Sequence, residues 1–376
     1  MAGPVRTVAE QETLDRRFMA AALRFSRKNA GRTATNPAVG TLFVRDDGNG
    51  PMIVGAGVTA IGGRPHAEAE ALADAGELAR GATAYVTLEP CAHHGRTPPC
   101  ANALVNSGIV RVVGAASDPD PRVSGQGYAI LRAAGVEVVE KVLAREAADQ
   151  MAGYLIRSLR KRPEVVLKLA LSSDGKIGRH GQGQLAITGE IARREVQMIR
   201  AAADAILIGI GTALEDDPAL TVRLPGLESR SPTRIVLDRQ IRLPETAKLV
   251  AGVDRVPLYL ASSDQADPRR RAALERLGVR FIGTDTHEGR IALPELLEDL
   301  AALGVASVLV EGGAKVARAF LDDGLVDRIM LFQGPEEIGA DGIASPIDAD
   351  HIPDDFRKLR EMRFGDDICT EWVRDI

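Results

Sequence analysis

The sequence lacks the apolar segments that are typical of membrane and exported proteins. Among its 376 residues, no apolar run is long enough to span a bilayer, so we expect no membrane partner. Residues 1–30 contain neither an apolar core nor a small-residue cleavage pattern, and we expect no secretion signal. Cysteine is also scarce: two of the three cysteines lie beside histidines, which is typical of metal or catalytic chemistry in a reducing compartment and predicts a cytoplasmic protein.

An excess of positive charge is missing as well. The formal net charge is -5, with 47 basic and 52 acidic residues mixed along the chain. Binding to long nucleic acid depends on a basic surface, so we expect a small polar substrate and no nucleic-acid partner. The composition, 45% hydrophobic and 26% charged, is that of a packed globular protein.

Predicted strands and helices alternate along the chain, which indicates layered α/β structure. In the first half we predict a helix over 14–28, a strand over 52–58 and a strand over 84–88. An Ala- and Glu-rich stretch predicts another helix over 66–79. The second half restarts with a buried strand over 164–171, and further strands are predicted at 205–208, 234–237, 257–260 and 307–310.

The length predicts two domains, because one hydrophobic core rarely serves so long a chain. Charged residues accumulate between Arg145 and Arg162, and Pro163 follows them. We therefore predict a first domain at 1–150, a junction at 151–162 and a second domain at 163–376.

Three residues of the first half have the identities and grouping of a zinc site. His66 opens a predicted helix, while Cys91 and Cys100 flank a loop. Catalytic zinc binds three protein ligands and keeps a fourth position for water, whose pKa it lowers toward neutrality. Glu68 stands two residues after His66 and is expected to carry protons as the catalytic residue without binding the metal. The pattern predicts hydrolytic deamination, in which ammonia leaves and a carbonyl remains.

Alternatives remain open for this motif. His93 and His94 lie between the two cysteines and compete as ligands. If the zinc were structural, the chain would be a binding module. A further alternative is a deaminase of cytidine or of a nucleic-acid base, with a second half that only supports assembly. Base deaminases, however, close their motif with Cys-x-x-Cys, whereas eight residues separate the cysteines here.

The wide cysteine spacing is part of a family resemblance that extends along nearly the whole chain. The string TLEPCAHHGRTPPC at 87–100 resembles the RibD family, bifunctional riboflavin-biosynthesis proteins that join a pyrimidine deaminase to a reductase. Other matching pieces are NPAVG at 36–40, HAE at 66–68, DPDP at 118–121, KLA at 168–170, DGK at 174–176, ITG at 187–189, DDPALTVR at 216–223 and EGG at 311–313. The resemblance implies an α/β protein with a cytidine-deaminase-like three-layer domain followed by a dihydrofolate-reductase-like domain.

The resemblance also implies two consecutive reactions on small pyrimidine ribosyl phosphates. The first domain would use Zn²⁺ to deaminate 2,5-diamino-6-ribosylamino-4(3H)-pyrimidinone 5′-phosphate, with Asn36 and Arg96 sharing in substrate binding. The second would use NADPH to reduce the ribosyl group of 5-amino-6-(5-phosphoribosylamino)uracil to ribityl. A homo-oligomer is expected on the same basis.

Reductase contacts are implied residue by residue. Substrate contacts fall on Gln184, Leu220, Arg223 and Glu311. Cofactor contacts fall on Ala170, Ala186, Thr212, Asp216, Gly313, Ala314, Lys315, Val316, Ala317, Arg318 and Ala319. Independently of the resemblance, an apolar strand that runs into two glycines and then a helix predicts free backbone amides able to hold a diphosphate. A guanidinium such as that of Arg223 suits a phosphate.

Two features are missing from the second half. Gly209-Ile210-Gly211 is not followed by a third glycine, because position 214 is leucine, so no Rossmann domain is predicted. Many family members also carry Ser-x-Trp where this chain has Gln184-Leu185-Ala186, which removes a hydroxyl and an indole. We predict that Gln184 replaces the serine as a hydrogen-bond donor.

Overall fold

The computed structural model describes residues 6–93, 98–287 and 289–375, which divide into two compact units. The first unit ends at Arg160, and the second extends from Lys161 to Asp375. In these described ranges, no helix combines the length and the apolar character needed to cross a membrane.

A five-stranded sheet forms the centre of the first unit, in the order β2-β1-β3-β4-β5. Its strands are β1 (Gly40–Arg45), β2 (Met52–Val58), β3 (Thr83–Leu88), β4 (Arg111–Ala116) and β5 (Glu137–Val139). Strand β1 is antiparallel to β2 and β3, whereas β3, β4 and β5 are parallel to one another. The predicted strands at 52–58 and 84–88 are confirmed to within one residue.

Helices cover both faces of this sheet. They are α1 (Val8–Ser26), α2 (Ala67–Ala75), α3 (Cys100–Asn106), α4 (Gln126–Ala133), α5 (Ala144–Gln150) and α6 (Ala152–Arg160). A Cβ added at Gly40 would overlap α1, and one added at Gly57 would overlap α2. Thr41 pairs with Gly57 and follows Gly40, and successive strand residues point to opposite faces. The two helices therefore lie on opposite sides of the sheet, in a three-layer arrangement.

Two predicted helix boundaries were wrong. The helix predicted from residue 14 begins at Val8, because Thr7 and Glu10 form a reciprocal capping box that the apolar pattern does not reveal. The helix predicted to reach residue 79 ends at Ala75, and Gly76, with a φ of 53°, begins a 3₁₀ turn.

The second unit is built on a nine-stranded sheet in the order β11-β10-β9-β8-β14-β6-β15-β18-β17, with β7 and β16 in a separate ribbon and β12 and β13 in another. Its strands are β6 (Glu164–Leu171), β7 (Lys176–Arg179), β8 (Ala205–Gly209), β9 (Thr233–Leu237), β10 (Leu258–Ser262), β11 (Arg280–Gly283), β12 (Thr286–His287), β13 (Arg290–Ile291), β14 (Ser307–Glu311), β15 (Arg328–Gln333), β16 (Gly342–Ala344), β17 (Phe356–Phe364) and β18 (Asp367–Arg374). Its helices are α7 (Glu190–Ala202), α8 (Ile210–Asp216), α9 (Lys248–Ala251), α10 (Pro268–Arg276), α11 (Leu293–Ala302) and α12 (Ala314–Asp322).

The strands predicted from apolar runs in this half are confirmed to within two residues, and they are the parallel strands at the centre of the sheet. Such strands are buried on both faces and therefore have nearly continuous apolar sequences. The antiparallel strands β17 and β18 were not predicted. Strand β17 lies at the sheet edge and carries many exposed charges, as edge strands often do. Its sequence therefore lacks the apolar run that predicts a buried strand.

Candidate active sites

Three side chains in the first unit converge with the spacing of a zinc site. His66 precedes the first residue of α2, Cys91 follows β3, and Cys100 opens α3. The Nδ1 atom of His66 lies 3.7 Å from the Cys91 sulfur and 3.5 Å from the Cys100 sulfur. For a tetrahedral zinc ion with ordinary Zn–S and Zn–N bonds, adjacent S and N ligands are about 3.6 Å apart. The chemistry and the separation of these donors fit zinc.

The two thiols are held where a thiolate is stabilised. The backbone N–H of Cys100 donates to the Cys91 sulfur across 3.2 Å at the beginning of α3. A hydrogen bond from the Cys100 thiol, together with one from His66, lowers the pKa of Cys91 to about 4, and the same bond raises the pKa of Cys100. A bound divalent cation favours ionisation of both sulfurs.

Glu68 is buried on the first turn of α2, next to these ligands. Burial raises the pKa of its carboxyl to about 7, and the charge of Cys91 adds to this effect. A buried carboxyl beside the metal ligands is placed to accept and release protons.

Among the described residues, His66, Cys91 and Cys100 form the one cluster with metal-ligand spacing. His93 instead lines the adjoining cleft, and its Nδ1 atom is buried without a hydrogen-bond partner among the described residues. His94 and Arg96 lie outside the described residues.

His66, Cys91 and Glu68 line a cleft of about 590 Å³. Asn36 lies in its wall and donates from Nδ2 to the Gly63 carbonyl oxygen across 2.8 Å. Sequence reasoning missed other residues of the cleft wall as candidates, although it singled out the Asp-Pro-Asp-Pro string. They are Asp118, Asp120, Arg122, Tyr154, Arg157 and Ser158.

Glu89, which directly follows β3, is hydrogen-bonded to the segment at the beginning of α4. Its carboxylate accepts the backbone N–H groups of Gly125 and Gly127, each across 3.1 Å. Gly127 packs directly on the Pro90 carbonyl, leaving no room for a Cβ atom. The loop before α4 is therefore fixed against the residue that precedes Cys91.

In the second unit, the beginnings of α8 and α12 meet at the carboxyl ends of β8 and β14. A Cβ added at Gly313 would lie 2.9 Å from the Thr212 hydroxyl oxygen, and one added at Gly209 would lie 2.6 Å from a methyl group of Val316. Gly313 has a φ of 63° and precedes α12. The first backbone amides of an α-helix have no partner within the helix, so the beginning of α12, beside Thr212, offers N–H donors of the kind that a diphosphate group binds.

The other predicted reductase residues are distributed more widely. Ala170 lies on β6 and Asp216 ends α8, where burial raises the pKa of its carboxyl. The side chains of Leu220 and Ala317 are packed in the core, whereas Gln184, Ala186, Lys315 and Arg318 are exposed. Arg223 lines a separate cavity of about 730 Å³, whose wall includes neither Thr212 nor Glu311.

Glu311 ends β14 and forms an ion pair that sequence reasoning missed. Arg200, on α7, donates to its two carboxylate oxygens across 2.7 Å each. Burial by itself would raise the pKa of Glu311, but Arg200 outweighs it and holds the pKa below its usual value. Lys168 pairs with Glu311 in the sheet register, and its ammonium lies 5.6 Å from the centre of the Phe332 ring. A buried group of charges thus lies at the end of β14, beside Gly312 and Gly313.

Two family sequence models match the chain. The cytidine and deoxycytidylate deaminase zinc-binding region matches residues 12–116, and the RibD C-terminal domain matches residues 163–370. The riboflavin biosynthesis protein RibD of Escherichia coli is 37% identical over 378 residues, which cover 96% of this chain and 99% of the relative. That of Aquifex aeolicus is 36% identical, with 96% of this chain and 99% of the relative covered.

Solved structures agree with these matches over both units. A structure of Acinetobacter baumannii RibD has a TM-score of 0.82 and 35% identity, and the match covers 97% of this chain and all of the other. A Thermotoga maritima diaminohydroxyphosphoribosylaminopyrimidine deaminase/5-amino-6-(5-phosphoribosylamino)uracil reductase has a TM-score of 0.83 and 32% identity with the same coverage.

Proposed function

The chain belongs to the RibD family of riboflavin-biosynthesis proteins and is a bifunctional deaminase and reductase that uses zinc and NADPH, and we propose which residues carry out each reaction. The first unit deaminates 2,5-diamino-6-ribosylamino-4(3H)-pyrimidinone 5′-phosphate. The second reduces the ribosyl group of 5-amino-6-(5-phosphoribosylamino)uracil. The observation that carries the deaminase proposal is the zinc spacing of His66, Cys91 and Cys100 beside the buried Glu68.

In the deaminase site, His66, Cys91 and Cys100 hold the metal. Bound zinc supplies Lewis-acid activation of water. Glu68, whose burial raises the pKa of its carboxyl, would hold a proton beside the metal site and deliver it to the leaving nitrogen. Asn36, in the wall of the cleft, shares with Arg96 in holding the substrate.

In the reductase site, the beginning of α12, where Gly313 and Thr212 meet, would hold the NADPH diphosphate. Ala170, Ala186, Asp216 and the residues from Ala314 to Ala319 complete the cofactor contacts. The family resemblance assigns the substrate contacts to Gln184, Leu220, Arg223 and Glu311, of which Leu220 is packed in the core and Arg223 lines a separate cavity in this structure. Hydride transfer depends on how the cofactor is positioned against the sugar, so no acid or base is assigned.

The proposal extends to domain limits, partners and location. We assign deamination to residues 1–150, reduction to 163–376 and the junction to 151–162. Small-molecule substrates, a homo-oligomeric assembly and no nucleic-acid partner are proposed, the last because acidic and basic residues are mixed. A cytoplasmic location is supported by the three free cysteines, two of which are needed as thiolates.

NADPH oxidation tests both reactions and their order. Wild-type protein should oxidise NADPH with either the diaminopyrimidinone phosphate or the deaminated intermediate, whereas Glu68→Ala should do so only with the intermediate. Glu70→Ala, on the same helix but outside the cleft lining, is the matched control and should behave as wild type. If wild type oxidises NADPH with neither compound, the reductase assignment fails. If Glu68→Ala uses both, Glu68 is not the proton carrier.

A further inference from the structure

Helix α7 contacts two of the residues that the family resemblance assigns to the reductase substrate. Arg200 donates to the carboxylate of Glu311 through two hydrogen bonds of 2.7 Å. Three residues earlier on the same helix, Oε1 of Gln197 accepts the backbone N–H of Arg223 across 2.8 Å. Residues three apart lie on one face of a helix, with Cβ atoms about 5–6 Å apart. One turn of α7 therefore holds both the carboxylate of Glu311 and the backbone of Arg223.

The segment that carries Arg223 has no regular secondary structure of its own. Helix α8 ends at Asp216, and the segment that follows it, over residues 217–223, forms neither helix nor strand. Its backbone is left-handed at Asp217 and at Leu220, where φ is 39° and 52°. Residues with a Cβ atom adopt this conformation at a cost in free energy, so the segment keeps its shape only where its surroundings hold it.

Two side chains hold the end of this segment by its backbone. The N–H of Val222 donates to the Ser231 hydroxyl oxygen across 3.0 Å, but Ser231 belongs to the same connection between α8 and β9. Gln197 belongs to a different element and is buried, with 9% of its surface exposed. Its hydrogen bond therefore fixes the backbone of Arg223 relative to α7 and to the Glu311 ion pair.

A fixed backbone matters for an arginine that binds a ligand from a loop. The side chain of Arg223 is exposed and lines a cavity whose wall does not include Glu311. The position of its backbone decides where its guanidinium can reach. If the loop had to become ordered during binding, the entropy lost would be subtracted from the affinity for the substrate.

We propose that Gln197 is a positioning residue of the reductase, which holds the backbone of Arg223 and thereby sets the affinity of the second unit for 5-amino-6-(5-phosphoribosylamino)uracil. This inference rests on the proposed substrate contact of Arg223. Gln197 acts through Arg223 and not on the reacting atoms, so its loss should raise KM for the substrate and leave kcat and the affinity for NADPH unchanged.

Calorimetric titration with 5-amino-6-(5-phosphoribosylamino)uracil in the absence of NADPH tests the inference. Gln197→Met removes the acceptor oxygen but keeps an unbranched, flexible side chain that fills the buried site. It should raise Kd about 3- to 10-fold, the loss expected for one hydrogen bond. Gln197→Glu keeps an acceptor oxygen and should recover part of the affinity. Arg194→Ala removes an exposed side chain of the same helix and should match wild type.

A double-mutant cycle with Arg223→Ala shows how Gln197 acts. Once residue 223 is alanine, Gln197→Met should cost little further affinity, because the two side chains serve one contact. NADPH oxidation at saturating substrate should give the wild-type kcat, which establishes that each variant is folded.

Three results would overturn the inference. The first is wild-type affinity in Gln197→Met. The second is an equal loss from Gln197→Met in both backgrounds, since that would indicate a structural role independent of Arg223. The third is an unchanged Kd in Arg223→Ala by itself, in which case the proposed substrate contact of Arg223 fails and this inference fails with it. In the first two cases the contact of Arg223 stands, so the two failures are distinguishable.

Discussion

Gly127→Ala should impair deamination although residue 127 touches neither zinc nor substrate. An added Cβ would lie less than 3.0 Å from the Pro90 carbonyl oxygen, a separation at which the two atoms overlap. It would also lie 3.2 Å from a Glu89 carboxylate oxygen. Residue 127 is on the first turn of α4, and the overlapping oxygen belongs to the backbone of Pro90. Neither backbone segment can move without a substantial cost in free energy. Restoring an ordinary contact requires a shift of about 1 Å, transmitted to Cys91 through the peptide bond it shares with Pro90.

A shift of that size is large for a metal site, because Zn–S distances vary by only about 0.2 Å. Misplacement of catalytic groups by about 1 Å costs on the order of 100-fold in rate. We therefore expect kcat for deamination to fall about 100-fold, zinc to bind more weakly, and the free energy of unfolding to drop by about 1–3 kcal/mol through overpacking. NADPH oxidation with the deaminated intermediate should be unchanged.

The assay is ammonia release together with zinc content measured after dialysis, with Gly125→Ala as the control. Gly125 has a φ of 74° but no atom within 4 Å of an added Cβ, so its variant suffers the left-handed strain of about 1–2 kcal/mol without the overlap. It should keep its zinc and its kcat. If Gly127→Ala retains a full complement of zinc and the wild-type kcat, close packing at Pro90 does not fix Cys91, and the reasoning is refuted.

Three further predictions concern the metal and the second unit. Chelation of zinc should abolish ammonia release while NADPH oxidation with the deaminated intermediate continues; loss of both would argue for a structural metal. Arg200→Ala should leave the buried Glu311 charge without its ion pair and destabilise the second unit by about 3–5 kcal/mol. Denaturant unfolding measures this loss, and an unchanged unfolding midpoint would contradict the prediction. Hydrogen bonds from the Ser172 hydroxyl and the Ile338 amide lower the pKa of Asp174 to about 2. The ionised Asp174 therefore stabilises the fold fully above its unfolded pKa near 4, and this stabilisation is lost as pH falls through 2. Asp174→Asn should flatten this part of the plot of unfolding free energy against pH. An unaltered plot would rule the effect out.

The residue types of the zinc motif explain why it could be recognised without a structure. His66 and Glu68 stand on one helical turn, and the histidine and the two cysteines have a combination of side chains that few functions other than metal binding require. The central parallel strands were equally accessible, because burial on both faces makes their sequences continuously apolar. The helix boundaries at Val8 and Ala75 were missed, since they depend on a cap and on a single glycine.

The sequence by itself indicated the alternation of strands and helices, because apolar periodicity is local, and the zinc motif, because one histidine, two cysteines and a nearby glutamate are a rare combination of residue types. The roles of His66, Glu68, Cys91 and Cys100 remain predictions. Only the tertiary structure showed which charged and polar side chains form pairs. Arg200 and Glu311 are 111 residues apart, and Tyr154 and Asp118 are 36 apart. Such pairs depend on strand register and on how helices pack against the sheet, so no local sequence pattern predicts them. Much of the deaminase cleft wall and the ion pair at Glu311 were therefore beyond sequence reasoning, whereas the clustering of His66, Cys91 and Cys100 was predicted.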